Sequence, residues 1–166
     1  MRYAKIDEYE VVNGKYGGIS LYVQGCPHRC PGCFNPETWD FNGGKEWTNE
    51  VKEEFLNLIN RPYIKRVSIL GGEPLERPYP IYCLTDKIKR QFGNQKSIWI
   101  YSGYTWEEIM NSRERTKAIL SADILVDGRF EEDKKDLALK FRGSTNQRII
   151  DIQKSLQEGK VILYGD

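Results

Sequence analysis

The chain has 166 residues, a formal net charge of +1 and 39% hydrophobic residues, which suits one domain over residues 1–166 with a core of its own. So even a charge balance excludes a nucleic-acid face built on bulk basicity, and no segment approaches the run of about 20 apolar residues that a membrane span needs. Residues 1–8 lack the apolar stretch of a secretion signal, so the expected location is the cytoplasm, where clustered cysteines favour metal binding over disulfides.

In chain order, residues 3–6 and 9–12 are short polar and apolar segments ahead of the Asn13-Gly14 and Gly17-Gly18 turns. They predict an edge hairpin or an extended arm. Residues 19–24 alternate and are rich in strand formers, which predicts the first strand of the main sheet. That strand runs directly into Gly25-Cys26-Pro27-His28-Arg29-Cys30-Pro31-Gly32-Cys33-Phe34-Asn35. Two prolines and two glycines rule out a regular helix or strand here, so a loop carries three thiols that can converge.

Three thiolates from one loop can hold a soft metal or an iron–sulfur cluster. They leave a four-ligand site one ligand short, and an open position is what a catalytic metal centre keeps. A 4Fe–4S cluster held by Cys26, Cys30 and Cys33 would have one iron free to take a substrate or cofactor. Cys83 stands apart on a predicted helix and reads as a small buried apolar residue rather than a fourth ligand. His28, the only histidine, reads as a packing or supporting neighbour, because a further protein ligand would close the open position.

Residues 36–47 are irregular, and Trp39, Phe41 and Trp47 among them are expected to pack over a core. Thr48 caps a predicted helix through Val51, Phe55, Leu58 and Ile59, which stops at Asn60-Arg61-Pro62. Residues 64–70 form a second predicted strand, so strand, loop, helix and strand make a right-handed crossover unit of a parallel sheet. This strand ends in Gly71-Gly72-Glu73-Pro74. Alone, the tetrapeptide is an ordinary strand-ending turn with an exposed acid; beside the cysteine strand, its backbone and the Glu73 carboxylate can also hold a cationic amine.

A second helix is predicted over residues 80–92 with Gly93 as its stop, and Ser97 to Tyr101 is a third strand ending in Ser102-Gly103-Tyr104. Thr105-x-x-Glu108 is a capping box, residues 113–121 are helical, and residues 123–126 form a fourth strand ending in Asp127-Gly128-Arg129-Phe130. Four such units are too few to close a barrel. The predicted fold is therefore α/β, an incomplete, open βα barrel whose gap admits a large substrate. Residues 131–140 read as a solvated loop. Residues 141–148 are either a polar turn or a donor group in which Arg142 and Arg148 fork onto carboxylates or phosphates. Residues 147–152 and 160–164 predict a C-terminal β-hairpin around Glu158-Gly159.

The cysteine spacing resembles the signature of the radical S-adenosylmethionine (SAM) enzymes, and Gly71-Gly72-Glu73 resembles the motif with which they hold the SAM amine. Within that group the chain resembles one family, the activating enzymes of anaerobic ribonucleoside-triphosphate reductases. The resemblance rests on residues 25–35, on Gly-Gly-Glu-Pro at 71–74 and on Trp-Ile-Tyr-Ser-Gly-Tyr at 99–104. It extends to Asp-Gly-Arg-Phe at 127–130 and Arg-Gly-Ser-x-Asn-Gln-Arg-x-Ile-Asp at 142–151. It implies a radical-SAM-type fold, a 4Fe–4S cluster on Cys26, Cys30 and Cys33, and SAM bound by Gly71, Gly72 and Glu73. Ser102, Gly103, Asp127 and Arg129 would help line the SAM pocket.

The implied reaction is reductive cleavage of SAM and abstraction of hydrogen from a glycine of the partner reductase, with a flavodoxin or ferredoxin as electron donor. Across the wider group an aromatic residue precedes the third cysteine. Here Gly32 precedes it and Phe34 follows, so the residue covering the adenine is open, with Phe34 among the cofactor-binding candidates. Two further readings stay open: a structural zinc module completed by His28 or Cys83, and a radical SAM enzyme acting on a small molecule, such as a deazaguanine-forming synthase. The oligomeric state, a homodimer included, is not fixed.

Overall fold

Ile19, Leu21 and Val23 alternate along one segment, as do Val67 with Ile69 and Ile98 with Ile100, and in the computed structural model all of them enter one apolar core. The period of two read from the sequence becomes one face of a sheet. The structure describes residues 1–165. Its strands are β1 (Arg2–Glu10), β2 (Gly18–Val23), β3 (Lys45–Glu46), β4 (Arg66–Gly71), β5 (Ser97–Tyr101), β6 (Ile124–Asp127) and β7 (Arg148–Asp151). They form a mixed sheet in the order β3-β1-β2-β4-β5-β6-β7. The four central strands, β2, β4, β5 and β6, run parallel, so their C-terminal ends open on the same side.

Helices α1 (Asn49–Ile59), α2 (Pro78–Phe92), α3 (Trp106–Met110), α4 (Arg113–Ile119) and α5 (Ile152–Glu158) complete the α/β chain. The caps follow the sequence. Thr48 Oγ1 accepts from Val51 N, and the Thr105–Glu108 box is closed in both directions. Phe55, Leu56 and Ile59 of α1 and Ile81, Leu84 and Ile88 of α2 are buried in the core beneath the sheet.

Two expectations change. The N-terminal arm is one nine-residue strand, antiparallel to β2 from Tyr3↔Val23 to Glu10↔Gly18, so residues 9–12 make no strand of their own. Trp47 packs edge-on to Tyr3 at 5.6 Å and to Phe55 at 5.7 Å, as its aromatic stretch predicts. The C-terminal β-hairpin is replaced by a helix, α5. Asp151 accepts from Lys154 N as its N-cap and Gly159, in the left-handed conformation, ends it. The glycine read as a hairpin turn is thus a helix stop. Beyond α5 the chain returns along β7 through Asp151 N to Ile162 O, 2.9 Å, and Tyr164 N to Ile149 O, 2.8 Å.

The opposite face of the sheet carries Ser20 and Tyr22, Arg66, Ser68 and Leu70, Trp99 and Tyr101, and Val126. Its lower level is polar. Arg66 is fully buried, with Nη1 on Glu10 Oε1 at 2.7 Å and on Ser68 Oγ at 2.6 Å, and with Nη2 on the Glu10 and Tyr16 carbonyls at 3.0 and 3.1 Å. Gly14 closes this level from below, since a β-carbon there would collide with Arg66 and Trp99.

Burial pushes the Glu10 carboxyl up, but bonds from Arg66, Ser20 and Asn13 outweigh it and hold the group below the usual carboxylate range. Its ionised form is favoured by folding. That contribution is fully present above the unfolded value of about 4.3 and fades as pH falls through the lower folded value. Denaturation midpoints should therefore hold steady from about pH 7 to 5 and drop below about pH 4, and Glu10→Gln should flatten part of that drop. An unchanged acid limb in the variant would show that Glu10 is not part of it.

Candidate functional site

The parallel strands deliver four loops to one end of the sheet. After β2 the chain enters the cysteine loop, anchored by Gly25 N to Thr38 O at 2.7 Å and Cys26 N to Trp39 O at 3.2 Å. Cys33 N donates to Cys30 O, 3.1 Å, and folds the second half of the loop back. Cys26, Cys30 and Cys33 are free and half-buried. They line one cavity of about 470 Å³ together with Gly71, Gly72 and Glu73. Ser102, Gly103, Arg129 and Phe34 line it as well. Asp127 does not.

Gly71 lies at φ +107°, and a β-carbon on it would sit 2.7 Å from Val23 N; glycine is what lets β4 turn against β2 at this point. Gly72 N and Glu73 N then donate to the carbonyls of Val23 and Gly25 at 2.9 and 2.8 Å. With those donors engaged on the chain, the turn offers a bound cation its carbonyl oxygens.

Glu73 is buried at 3% exposure, and the structure gives its carboxylate four internal partners. His28 Nε2 at 2.8 Å and Gly103 N at 2.7 Å meet Oε1. Leu75 N at 2.9 Å and Ser102 Oγ at 2.8 Å meet Oε2. The exposed acid of the simple turn reading is thus a buried hub that ties the cysteine loop to the Gly-Gly-Glu and Ser-Gly-Tyr turns. His28 also packs edge-on to Tyr104 at 4.7 Å. Glu73→Gln places an amide N–H₂ against donors on one side, so the chain should lose about 1–3 kcal/mol of stability. An unchanged urea midpoint would remove the hub role.

Three soft sulfur donors on one cavity wall fit a 4Fe–4S cluster. Burial pushes the Cys26 thiol up to about 11 and raises Cys30 as well, so cluster binding has to displace thiol protons. Of the two residues that would complete a zinc site, His28 lines the same cavity as the thiols and Cys83 does not. His28 Nε2 is on Glu73, and Cys83, half-buried on α2 rather than fully buried as expected, lies outside the lining. Among the described residues no three His, Cys, Asp or Glu side chains are grouped to hold a single metal ion.

The remaining strand-end residues divide. Asp127 is buried, accepts from Trp106 N at 2.7 Å and takes Arg148 Nη2 on Oδ2 at 2.6 Å. Its carboxylate therefore holds α3 and β7 rather than facing the cavity. Arg148 forks onto the chain's own carboxylates, Asp127 and Glu107, and Arg142 onto the carbonyls of Thr145 and Gln147. Arg148 is thus taken up by internal ties, whereas Arg142 also lines the cavity. Arg129 pairs with Glu108 at 3.1 Å, and Phe34 packs on Phe130 at 5.1 Å. Cavity-wall residues missed from the sequence include Asn13, Tyr22 and Tyr101; strand alternation was the one signal that pointed Tyr22 and Tyr101 to this face.

The family model described as a 4Fe-4S single cluster domain matches residues 12–150, a span that holds all four strand-end loops. Fold and site thus define an iron–sulfur domain of the single-cluster class. The anaerobic ribonucleoside-triphosphate reductase-activating protein of Escherichia coli K12 is 35% identical over 151 residues, 89% of this chain and 96% of its own. That of Salmonella typhi is 36% identical over the same shares, and that of Enterobacteria phage T4 is 32% identical over 90% of this chain and 93% of its own. This chain belongs to the family of anaerobic ribonucleoside-triphosphate reductase-activating proteins. Among solved structures, QueE from Escherichia coli aligns at a TM-score of 0.43 and 20% identity, covering 76% of this chain and 67% of that one. No helix among the described residues is long and apolar enough to cross a membrane.

Proposed function

We propose that the chain is a radical SAM activase that installs a glycyl radical on an anaerobic ribonucleoside-triphosphate reductase. The observation that carries this reading is the shared cavity: three thiols from one loop and the Gly-Gly-Glu turn of the adjacent parallel strand line the same space. Cys26, Cys30 and Cys33 would hold a 4Fe–4S cluster. When bound, that group supplies the electron that cleaves SAM to methionine and a 5′-deoxyadenosyl radical, which takes hydrogen from a glycine of the reductase.

The protein's own part is binding and exclusion. The carbonyls of the 71–72 turn meet the SAM amine, while Glu73 keeps that turn, His28 and Ser102-Gly103 in fixed relation. Phe34 and Phe130 put apolar surface at the cavity wall and keep water from the reacting atoms. Arg129, oriented by Glu108, faces the same space; Asp127 acts one step removed, by holding α3 and Arg148. In this reading the sheet is the incomplete barrel of a radical SAM fold, and a flavodoxin- or ferredoxin-type protein delivers the electron.

The test is anaerobic reconstitution with iron and sulfide, then reduction in the presence of SAM with and without the reductase. About four irons per chain, release of 5′-deoxyadenosine and a glycyl-radical spectrum on the reductase are expected. Tightly held zinc without cleavage would make the loop structural. Cleavage that leaves the reductase without a radical would instead point to a small-molecule substrate.

A further inference from the structure

Among the described residues ten large apolar side chains are exposed, and three of them, Val12, Phe34 and Leu137, also line the cavity. They come from distant parts of the chain: the turn after β1, the cysteine loop and the segment between β6 and β7. Their exposures are 66%, 56% and 83%, so they form the outer rim of the cavity rather than its interior. Leu139 and Phe141 continue the apolar wall inward on the last of these segments.

The rim is held in place. Glu10 Oε2 accepts from Val12 N at 2.6 Å and from Asn13 N at 2.9 Å, which fixes the turn that presents Val12. Asp136 Oδ1 accepts from Ala138 N at 2.9 Å, and Asp136 N donates to Gly143 O at 3.2 Å, which fixes the turn that presents Leu137. The Phe34 ring lies on Phe130 and has Lys135 Nζ 5.5 Å from its centroid. Apolar side chains held in water on ordered turns forgo the gain of burial, and such patches mark partner surfaces.

We propose that this rim is the docking surface for the reductase segment that carries the target glycine, and that Val12 and Leu137 hold apolar side chains flanking that glycine. The inference rests on the activase reading. The glycine Cα has to come within contact distance of SAM, so its segment passes the rim and enters the cavity. Glycine has no side chain to recognise, and aliphatic rim residues make no hydrogen bonds, so the segment is held by apolar burial on either side of the glycine. Position separates this occupant from SAM. The thiols follow the end of β2, whereas Val12 comes in from its start, where Glu10 pairs with Gly18. SAM on the thiols and the Gly-Gly-Glu turn takes the strand-end side, and the side toward Val12 is left for the segment.

Val12→Asp combined with Leu137→Asp puts charge on the rim, and neither residue belongs to the buried core. In the cluster-loaded full chain, the KM for the reductase in glycyl-radical formation should rise roughly tenfold or more with kcat kept. The SAM Kd, and SAM cleavage without the reductase under a chemical reductant, should stay within about twofold of wild type. Val12→Ile combined with Leu137→Met keeps the apolar surface and should keep the wild-type KM. An unaltered KM in the aspartate variant would overturn the inference alone. So would a weakened SAM Kd, which would give the rim to SAM, or a drop of several degrees in the cluster-free melt, which would make the rim structural. Wild-type protein that cleaves SAM and leaves the reductase without a radical would overturn the activase reading and this inference together.

Discussion

Replacing Cys30 with alanine should give a folded protein that assembles no 4Fe–4S cluster and cleaves no SAM above background. Three thiols face the cavity, and two cannot hold a cluster against the loss of one corner. Cys30 is the middle thiol, and the neighbouring Phe130 main chain favours its ionised form, so it sits between the cysteine loop and the loop after β6. Its side chain is only half-buried and is not part of the buried hydrophobic core, so the melting temperature of the cluster-free variant should match wild type. Iron analysis and 5′-deoxyadenosine release on the reconstituted variant decide the matter. A Cys30→Ala protein that keeps both would remove the central assignment. Cys83→Ala is the contrast. Cys83 lies on α2, outside the cavity lining, so iron and cleavage should both survive; loss of iron there would make it a ligand after all.

The second large effect concerns folding. Arg66→Met should destabilise the chain by about 3–5 kcal/mol, the range for breaking one side of a buried, hydrogen-bonded ion pair. The guanidinium has 0% exposure and the Glu10 side chain 8%. Without Arg66, the Glu10 carboxylate keeps bonds from Ser20 and from the Val12 and Asn13 main chain but loses its compensating charge. The carbonyl of Tyr16 and the hydroxyl of Ser68 lose a donor as well. Because this level lies under the floor of the cavity, SAM affinity should fall with stability. Replacing Glu10 and Arg66 together by apolar residues of similar volume should recover most of the loss. A single Arg66→Met that shifts the urea midpoint by less than about 1 kcal/mol equivalent would show that the pair contributes little.

Local signals were legible because they depend on a few neighbouring residues. Thr48 and Thr105 with Glu108 announced helix starts, since a short side-chain oxygen before an apolar run meets the free N–H groups of the first turn. Alternation in 19–24 and 64–70 announced strands, and the Cys26, Cys30 and Cys33 spacing announced one loop with three soft donors. The C-terminus misled for the same local reason. Glu158-Gly159 ends a helix or turns a hairpin with equal ease, and the Asp151 cap together with β7 pairing to β6 selects the helix.

The sequence by itself therefore determined the order of the four central strands and the helices between them, the loop that carries the thiols and the parity of the strand faces. Each of these follows from backbone sterics and from spacing along the chain. Only the tertiary structure decided which side chains meet. It set Arg66 on Glu10 across 56 residues, Glu73 between His28 and Ser102, and Asp127 against Arg148 instead of the cavity. Such contacts depend on strand register. A shift of one residue turns every side chain of a strand to the opposite face, and register is settled when distant strands pair.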